Sequence, residues 1–468
     1  MPWSQPIKTI RNRGSLRGLA RWLLLGVLVA APWLYGGTTA WSIELINDLL
    51  ALVVLLWIAS LLLDRRWPAV PRAVPVIAAI ILVYGWWMAL NAHAVYDSAF
   101  RFFVLSAPLI SALPGSSDFV LSVAAMTRIS LLLGIILFVA ETARRPLWLA
   151  RLWYAIAISG GALALLGLLQ KATHAPMMFW QPADPAAHFT STFFASFYYH
   201  ANAGAFLNLV LPVSAGLLAW TTARRAHPLI SGFYLATFVI TIVAVLSNTS
   251  RMAQFVAGLI AVVLVVTMAK PIARIVGGSE KRNRIIGFVI IVIAALAIGQ
   301  AARLDQPIGR WRQLSRQWAV DERWAANRTA FAAVGNAGLF GFGPGTFRAI
   351  FPHYQATQSN AARGTWRFLH DDYLQTILEW GFVGAAALGA LFFGGIAFGT
   401  RNYFQAEGWS TRQRVLLPCM LLALIGVAIH AVVDFPLQIL SIQLFAATYL
   451  GVCWGSGSWG RPEVRSKN

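Results

Sequence analysis

Long apolar runs, broken at short intervals by basic and polar clusters, set the pattern of this chain. A helix needs roughly 17 to 25 mostly apolar residues to cross a bilayer. Twelve windows meet that requirement, at about 22–38, 44–63, 73–92, 119–140, 147–170, 200–220, 229–247, 252–269, 285–301, 373–399, 414–433 and 436–454. No soluble domain interrupts the first nine, and one long stretch, 302–372, separates the ninth from the tenth. The pattern predicts an all-α polytopic protein, a single integral membrane domain over 1–468 with one large loop. The first run follows a basic stretch, as in a signal peptide. It lacks a small-x-small cleavage site and many spans follow it, so it reads as a retained first helix.

Composition agrees: 58% of the 468 residues are hydrophobic and only 12% charged, with a mean hydropathy of +0.65. A soluble domain has no way to hide that much apolar surface. The net charge of +20 would suggest a nucleic-acid partner in a soluble protein. Here its distribution fits the positive-inside rule instead. With the N-terminus in the cytoplasm, 24 of the 37 lysines and arginines fall in the seven inside segments, from Lys8 through Arg65, Arg144, Arg224, Lys281 and Arg412 to Lys467. Both termini are then expected inside, and residues 302–372 in the periplasm. Cys419 and Cys453 sit in apolar runs, without metal spacing, and read as core thiols.

The basic residues that break the rule are informative. Nine of them, Arg303, Arg310, Arg312, Arg316, Arg323, Arg328, Arg348, Arg363 and Arg367, lie in the one long loop, which holds no lysine. Arg101, Arg128, Lys171 and Arg251 lie on or near the same side. The planar guanidinium fork suits bidentate binding of phosphate or carboxylate, a preference that a merely solvated loop would not need. A basic loop touching lipid headgroups is the blander reading, and it does not account for the exclusion of lysine.

"LHDDYLQTILEWGFVG", residues 369–384, places a histidine and two aspartates at the start of the tenth span. With a helix starting near Asp371, residues 370, 377, 381 and 384 fall within a narrow arc, and the glycines let that face pack closely on a neighbouring helix. The positive end of that helix disfavours imidazolium, leaving His370 able to accept a proton. Either Asp371 or Asp372 can serve as the cap. A lone histidine at a helix end is more often structural than catalytic, so these residues alone do not decide.

The motifs do resemble a known family. His370 with Gly381 and Gly384 is similar to the histidine–glycine motif of bacterial O-antigen ligases, whose superfamily includes O-antigen and exopolysaccharide polymerases. Asp371 stands where that family usually has Asn, Ser or Gln. "SNTSRMAQF" (247–255) resembles the family's outer-face arginine motif, with Arg251 in place and Phe255 where leucine is usual. "FGFGPGTF" (340–347) and "HAVVDFPLQI" (430–439) also resemble family segments, and 200–454 reads as the ligase/polymerase-like core. The resemblance implies a C-type glycosyltransferase fold in a bacterial inner membrane, with its active site facing the periplasm. It implies transfer of a glycan from undecaprenyl pyrophosphate to lipid A–core or to a growing polysaccharide, with no metal or other cofactor and no nucleic acid.

That chemistry fits the residues. Arginines can neutralise a departing pyrophosphate, and an acceptor hydroxyl needs a general base. His370 and Arg251 are the catalytic candidates. Arg310, Arg312, Arg328, Arg363, Arg367, Asp372, His200 and Asn202 are the substrate-binding candidates, although a polar helix cap is as good a reading of His200 and Asn202. Arg128 and Glu379, each well inside a span, should be paired with each other or with backbone. "GFGPGTF" lacks the Gly-Lys-Ser/Thr of a phosphate-binding loop and reads as a turn bringing backbone close to substrate or a helix end. A lipid-linked glycan transporter is the competing class. It would concentrate charge at the membrane midplane in repeated halves, whereas this chain gathers charge in one loop and its flanking helix ends.

Overall fold

A computed structural model describes residues 13–97, 99, 102–182, 193–277, 305–314, 321–357 and 362–460. Fourteen α-helices run through them: α1 (Arg13–Ala30), α2 (Ala40–Leu63), α3 (Ala73–Leu90), α4 (Phe119–Thr142), α5 (Pro146–Ala172), α6 (His200–Ala223), α7 (Pro228–Ser247), α8 (Arg251–Gly277), α9 (Asp305–Arg312), α10 (Glu322–Ala337), α11 (Phe347–Thr357), α12 (Asp372–Phe404), α13 (Thr411–His430) and α14 (Leu440–Gly455). Eight of these, α2 to α7 with α12 and α13, are long and apolar enough to cross a membrane. The apolar part of α8, Arg251–Thr267, is shorter. Helix α14, at 16 residues, reaches only about 24 Å at 1.5 Å per residue. Eleven of the twelve predicted windows thus overlap described helices, the first (22–38) only as far as Ala30, where α1 ends, and the one at 285–301 lies outside the described residues, as do Arg101, Arg303 and Arg316. The fold is that of an all-α polytopic membrane protein. The one strand pair among the described residues, Ala94–Asp97 with Phe102–Leu105, is small and antiparallel and was not predicted by the apolar pattern. Asp118 ties that pair to α4, accepting from the Tyr96 N–H at 2.7 Å and capping the helix through the Leu121 N–H.

Helix α6 is the axis of the bundle, buried along nearly its whole length and packed by α5, α7, α8, α13 and α14. Its sequence explains the position, because small residues let other helices approach closely where lipid supplies no hydrophobic drive. A Cβ on Gly204 would sit 2.3 Å from the Ala253 Cβ of α8, and one on Gly216 would sit 2.7 Å from the Cys419 Sγ of α13. The Asn208 amide then donates across to the Ala253 carbonyl at 2.9 Å. Cys419 and Cys453 are both buried free thiols.

Helix α12 departs from its expected form. Gly381, at φ 60° and ψ −174°, breaks it into a short segment before the glycine and a long one after. The arc through 370, 377, 381 and 384 therefore does not exist as one helical face. The cause is backbone packing. A Cβ on Gly381 would meet the Leu339 carbonyl oxygen at 2.2 Å, and one on Gly341 would meet the Gly381 nitrogen at 2.4 Å. "FGFGPGTF" runs against the break, where the Phe342 and Gly343 N–H groups donate to the Leu378 and Glu379 carbonyls at 2.8 and 2.9 Å. Gly384, beyond the break, does face another helix, 2.7 Å from the Tyr84 ring of α3 by the same measure.

Candidate active site

The ends of α5, α6, α7, α8, α12 and α13 meet on one side of the bundle. The Lys171 ammonium donates to the Ser247 carbonyl, the Asn248 amide to the His200 carbonyl at 2.8 Å, and the Asp372 N–H to the Ala431 carbonyl at 2.9 Å. This gathered end carries the polar side chains that the sequence spreads over more than two hundred positions.

Asp371 and Asp372 fix its centre. Asp371 is the N-cap of α12, its Oδ1 accepting from the Tyr373 and Leu374 N–H groups at 3.0 Å each. Asp372 is buried, and both of its oxygens are taken, by the Leu437 N–H at 2.8 Å and the Gln438 amide at 2.9 Å. It thereby fastens the segment after α13 to the start of α12. Glu379 plays a similar part deeper down: it accepts from the Gly345 and Phe347 N–H groups, at 3.0 and 3.2 Å, where α11 begins. A carboxylate there satisfies otherwise orphaned helix donors, so the backbone supplies the partner expected for Glu379.

The segment held by Asp372 brings Asp434 to His370. The His370 Nε2 lies 4.0 Å from Asp434 Oδ1. The His370 Nδ1 is buried and has no hydrogen-bond partner among the described residues. Phe435, Trp366 and Tyr199 wall the imidazole edge-to-face at ring distances of 4.9, 5.2 and 6.2 Å. Asp434 accepts from the Tyr199 hydroxyl at 3.2 Å, and that hydroxyl accepts from Arg323 Nη2 at 2.7 Å. A chain of four side chains results: Arg323, Tyr199, Asp434, His370.

Burial, and then the Arg323 charge, lower the His370 pKa to about 3, so the resting imidazole is neutral at pH 7. Burial raises Asp434 despite the opposing pull of Arg323. Burial, followed by the Asp434 charge, raises the Tyr199 phenol. For Arg323 burial acts downward, yet Tyr199, Asp434 and Asp321 outweigh it and the guanidinium is held above its ordinary value. Arg310, on α9, is lowered by burial and then by the Arg251 charge, with Arg323 adding to the repulsion. Arg310 of α9 is thus near enough to Arg251 of α8 and Arg323 of α10 for both charges to act on it.

The other expected residues are distributed more widely. Arg312 is exposed at the end of α9. Arg328 lines a shallow cavity with Trp324, Phe331 and Leu374. Arg363 is exposed, its backbone N–H donating to Glu322 at 2.8 Å. Arg367 is exposed, reaching the Thr38 carbonyl at 3.5 Å. His200 and Asn202 are buried in the first turn of α6. The His200 ring packs against that of Tyr199 in a tilted arrangement, centroids 4.9 Å apart, and Asn202 Oδ1 has no partner among the described residues. Sequence reasoning did not single out Tyr199, and it left Arg323 unranked among the loop arginines. The only hint for Arg323 is Asp321, which accepts from the Arg323 N–H at 3.0 Å and starts α10 there.

At one end of a helical membrane bundle the structure thus brings a histidine and a carboxylate together beside arginines. Residues 236–389 match the family model described as O-antigen ligase. The match supports membership of the O-antigen ligase and polymerase superfamily, and with it an O-antigen ligase- or polymerase-like membrane enzyme. It ends within α12 and includes Arg251, Arg310, Arg323 and His370, while Tyr199 and Asp434 lie outside it. No curated protein matches the chain.

Proposed function

We propose that this protein is an O-antigen ligase-like glycosyltransferase, moving a glycan from undecaprenyl pyrophosphate to an acceptor hydroxyl at the periplasmic face. The acceptor is lipid A–core for a ligase; a polymerase would use a growing polysaccharide. The observation that carries the reading is the chain Arg323–Tyr199–Asp434–His370 set beside Arg251 and Arg310. The three arginines take the donor's pyrophosphate and stabilise the charge that grows on it as it leaves. His370 accepts the acceptor's proton at Nδ1, while its Nε2 faces Asp434. The acceptor oxygen then bonds to the anomeric carbon as the bond to pyrophosphate breaks. An imidazole with a pKa of about 3 is a weak base, so Asp434 has a necessary part. Closing the 4.0 Å gap on substrate binding stabilises the imidazolium and raises its basicity, as catalytic hydrogen bonds often tighten only in the reacting complex.

The test uses purified full-length protein with lipid-linked glycan and acceptor. His370→Ala should lose about 10²- to 10⁴-fold in transfer rate, the usual range for a general base, while still binding donor. Arg251→Ala should weaken donor binding, and Arg251→Lys should restore it only in part, because lysine lacks the fork. A folded His370→Ala protein that transfers at the wild-type rate would leave "LHDD" as a capped helix start and nothing more. Translocation of the lipid without any new glycosidic bond would make the protein a transporter.

A further inference from the structure

Beside the arginines, on the flank where α5, α6 and α7 end, lies a second cavity of about 280 Å³. Its polar lining is Gln170, Lys171, His174, His200, Thr249 and Gln306, with the Phe194 ring as an apolar wall. Gln170 is the anomaly. It is 2% exposed, and neither its Nε2 nor its Oε1 has a hydrogen-bond partner among the described residues. A buried primary amide with both ends unmet is costly, and native proteins rarely keep one without a use. The amide demands a ligand that both accepts and donates. Paired hydroxyls of a sugar ring do both, whereas phosphate oxygens in their ionised form only accept. The Lys171 ammonium is directed to the Ser247 carbonyl and to Gln306.

The position fits as well. His200 lines the cavity and packs against Tyr199, and Thr249 precedes Arg251 by two residues. We propose that this cavity is a sugar subsite, in which the Gln170 carboxamide hydrogen-bonds paired hydroxyls of a neutral pyranose in the donor glycan. The proposal rests on the donor reading above and adds to it the residue that recognises sugar rather than pyrophosphate.

The experiment measures equilibrium binding to the full chain in nanodiscs with two probes. One is sugar-free undecaprenyl pyrophosphate; the other is the lipid-linked glycan extracted from cells lacking this protein. Wild type should bind the glycan-bearing carrier more tightly than the bare one. Gln170→Met should lose about tenfold of affinity for the glycan-bearing carrier, the worth of one or two net hydrogen bonds, and none for the bare carrier. Its thermal midpoint should not fall, because the replaced amide had no partner to lose. Thr249→Val should give a smaller loss in the same direction, and it decides the matter if Gln170→Met does not fold. Equal wild-type affinity for the two carriers, or wild-type glycan binding by the folded variants, overturns the sugar subsite and leaves the donor reading intact. Binding of neither carrier by wild type overturns the donor reading and the subsite with it.

Discussion

Asp434→Asn isolates the least obvious part of the chemistry. The carboxylate lies 4.0 Å from His370 Nε2, and two unit charges at that distance interact by about 4 kcal/mol at an effective dielectric of 20. That energy is available only after His370 has taken up a proton, so it stabilises the transition state and not the resting enzyme. Spent fully, it would correspond to about 10³-fold in rate. Arg323 draws off part of the same negative charge through Tyr199, so the expected loss in kcat is about 10²- to 10³-fold. Asparagine keeps the size and still accepts from the Tyr199 hydroxyl, leaving the packing of the pair in place. The assay is single-turnover glycan transfer at saturating donor, with donor affinity measured separately. Affinity should hold or improve, because Arg323 loses a competing anion. Turnover within threefold of wild type, or a loss fully accounted for by weaker donor binding, would refute the idea that Asp434 works through His370.

Further outcomes follow from the same geometry. Because the folded pKa of His370 lies near 3 and the unfolded value near 6.5, the unfolded chain binds more protons in that window. Stability from this residue is therefore complete above about pH 6.5 and is lost as pH falls toward 3. The thermal midpoint of wild type should drop more between pH 7 and pH 4.5 than that of His370→Gln, and an equal drop would show that the ring is not held neutral. For the same reason His370 should contribute no ionisation near pH 6.5 to the rate of the resting enzyme; a limb there that vanishes in His370→Gln would contradict the burial argument. Gly381→Ala places a Cβ 2.2 Å from the Leu339 carbonyl at a positive φ, and should cost about 1–3 kcal/mol or more; a thermal midpoint within one degree of wild type would mean that the break is not required. A cysteine at His353 should react with an impermeant maleimide applied to intact spheroplasts, and one at Gln405, at the opposite end of α12, should not. The reverse labelling would invert the proposed orientation.

The spans were legible because apolar length is a local property, written into each window without reference to the rest of the chain. The two aspartates after His370 were legible as helix-start chemistry, but their division of labour was not. Asp371 spends itself on its own helix, while Asp372 reaches across to Leu437 and Gln438, a contact that no periodicity encodes. The break at Gly381 escaped for a related reason. The residues on either side are apolar and helix-forming, so hydropathy reads straight through, and the need for positive φ arises only from the Leu339–Gly341 backbone laid against it. Composition could count the loop arginines but not rank them. What ranks Arg323 and Arg310 is the presentation of α9 and α10 toward Tyr199, itself placed by the start of α6. In a bundle whose helix ends converge, the acid that serves a histidine need not be the one beside it in the chain. Asp371 is taken up in capping its own helix and Asp372 in fastening the segment after α13, and because Asp372 does so, Asp434 is the carboxylate brought to face the imidazole.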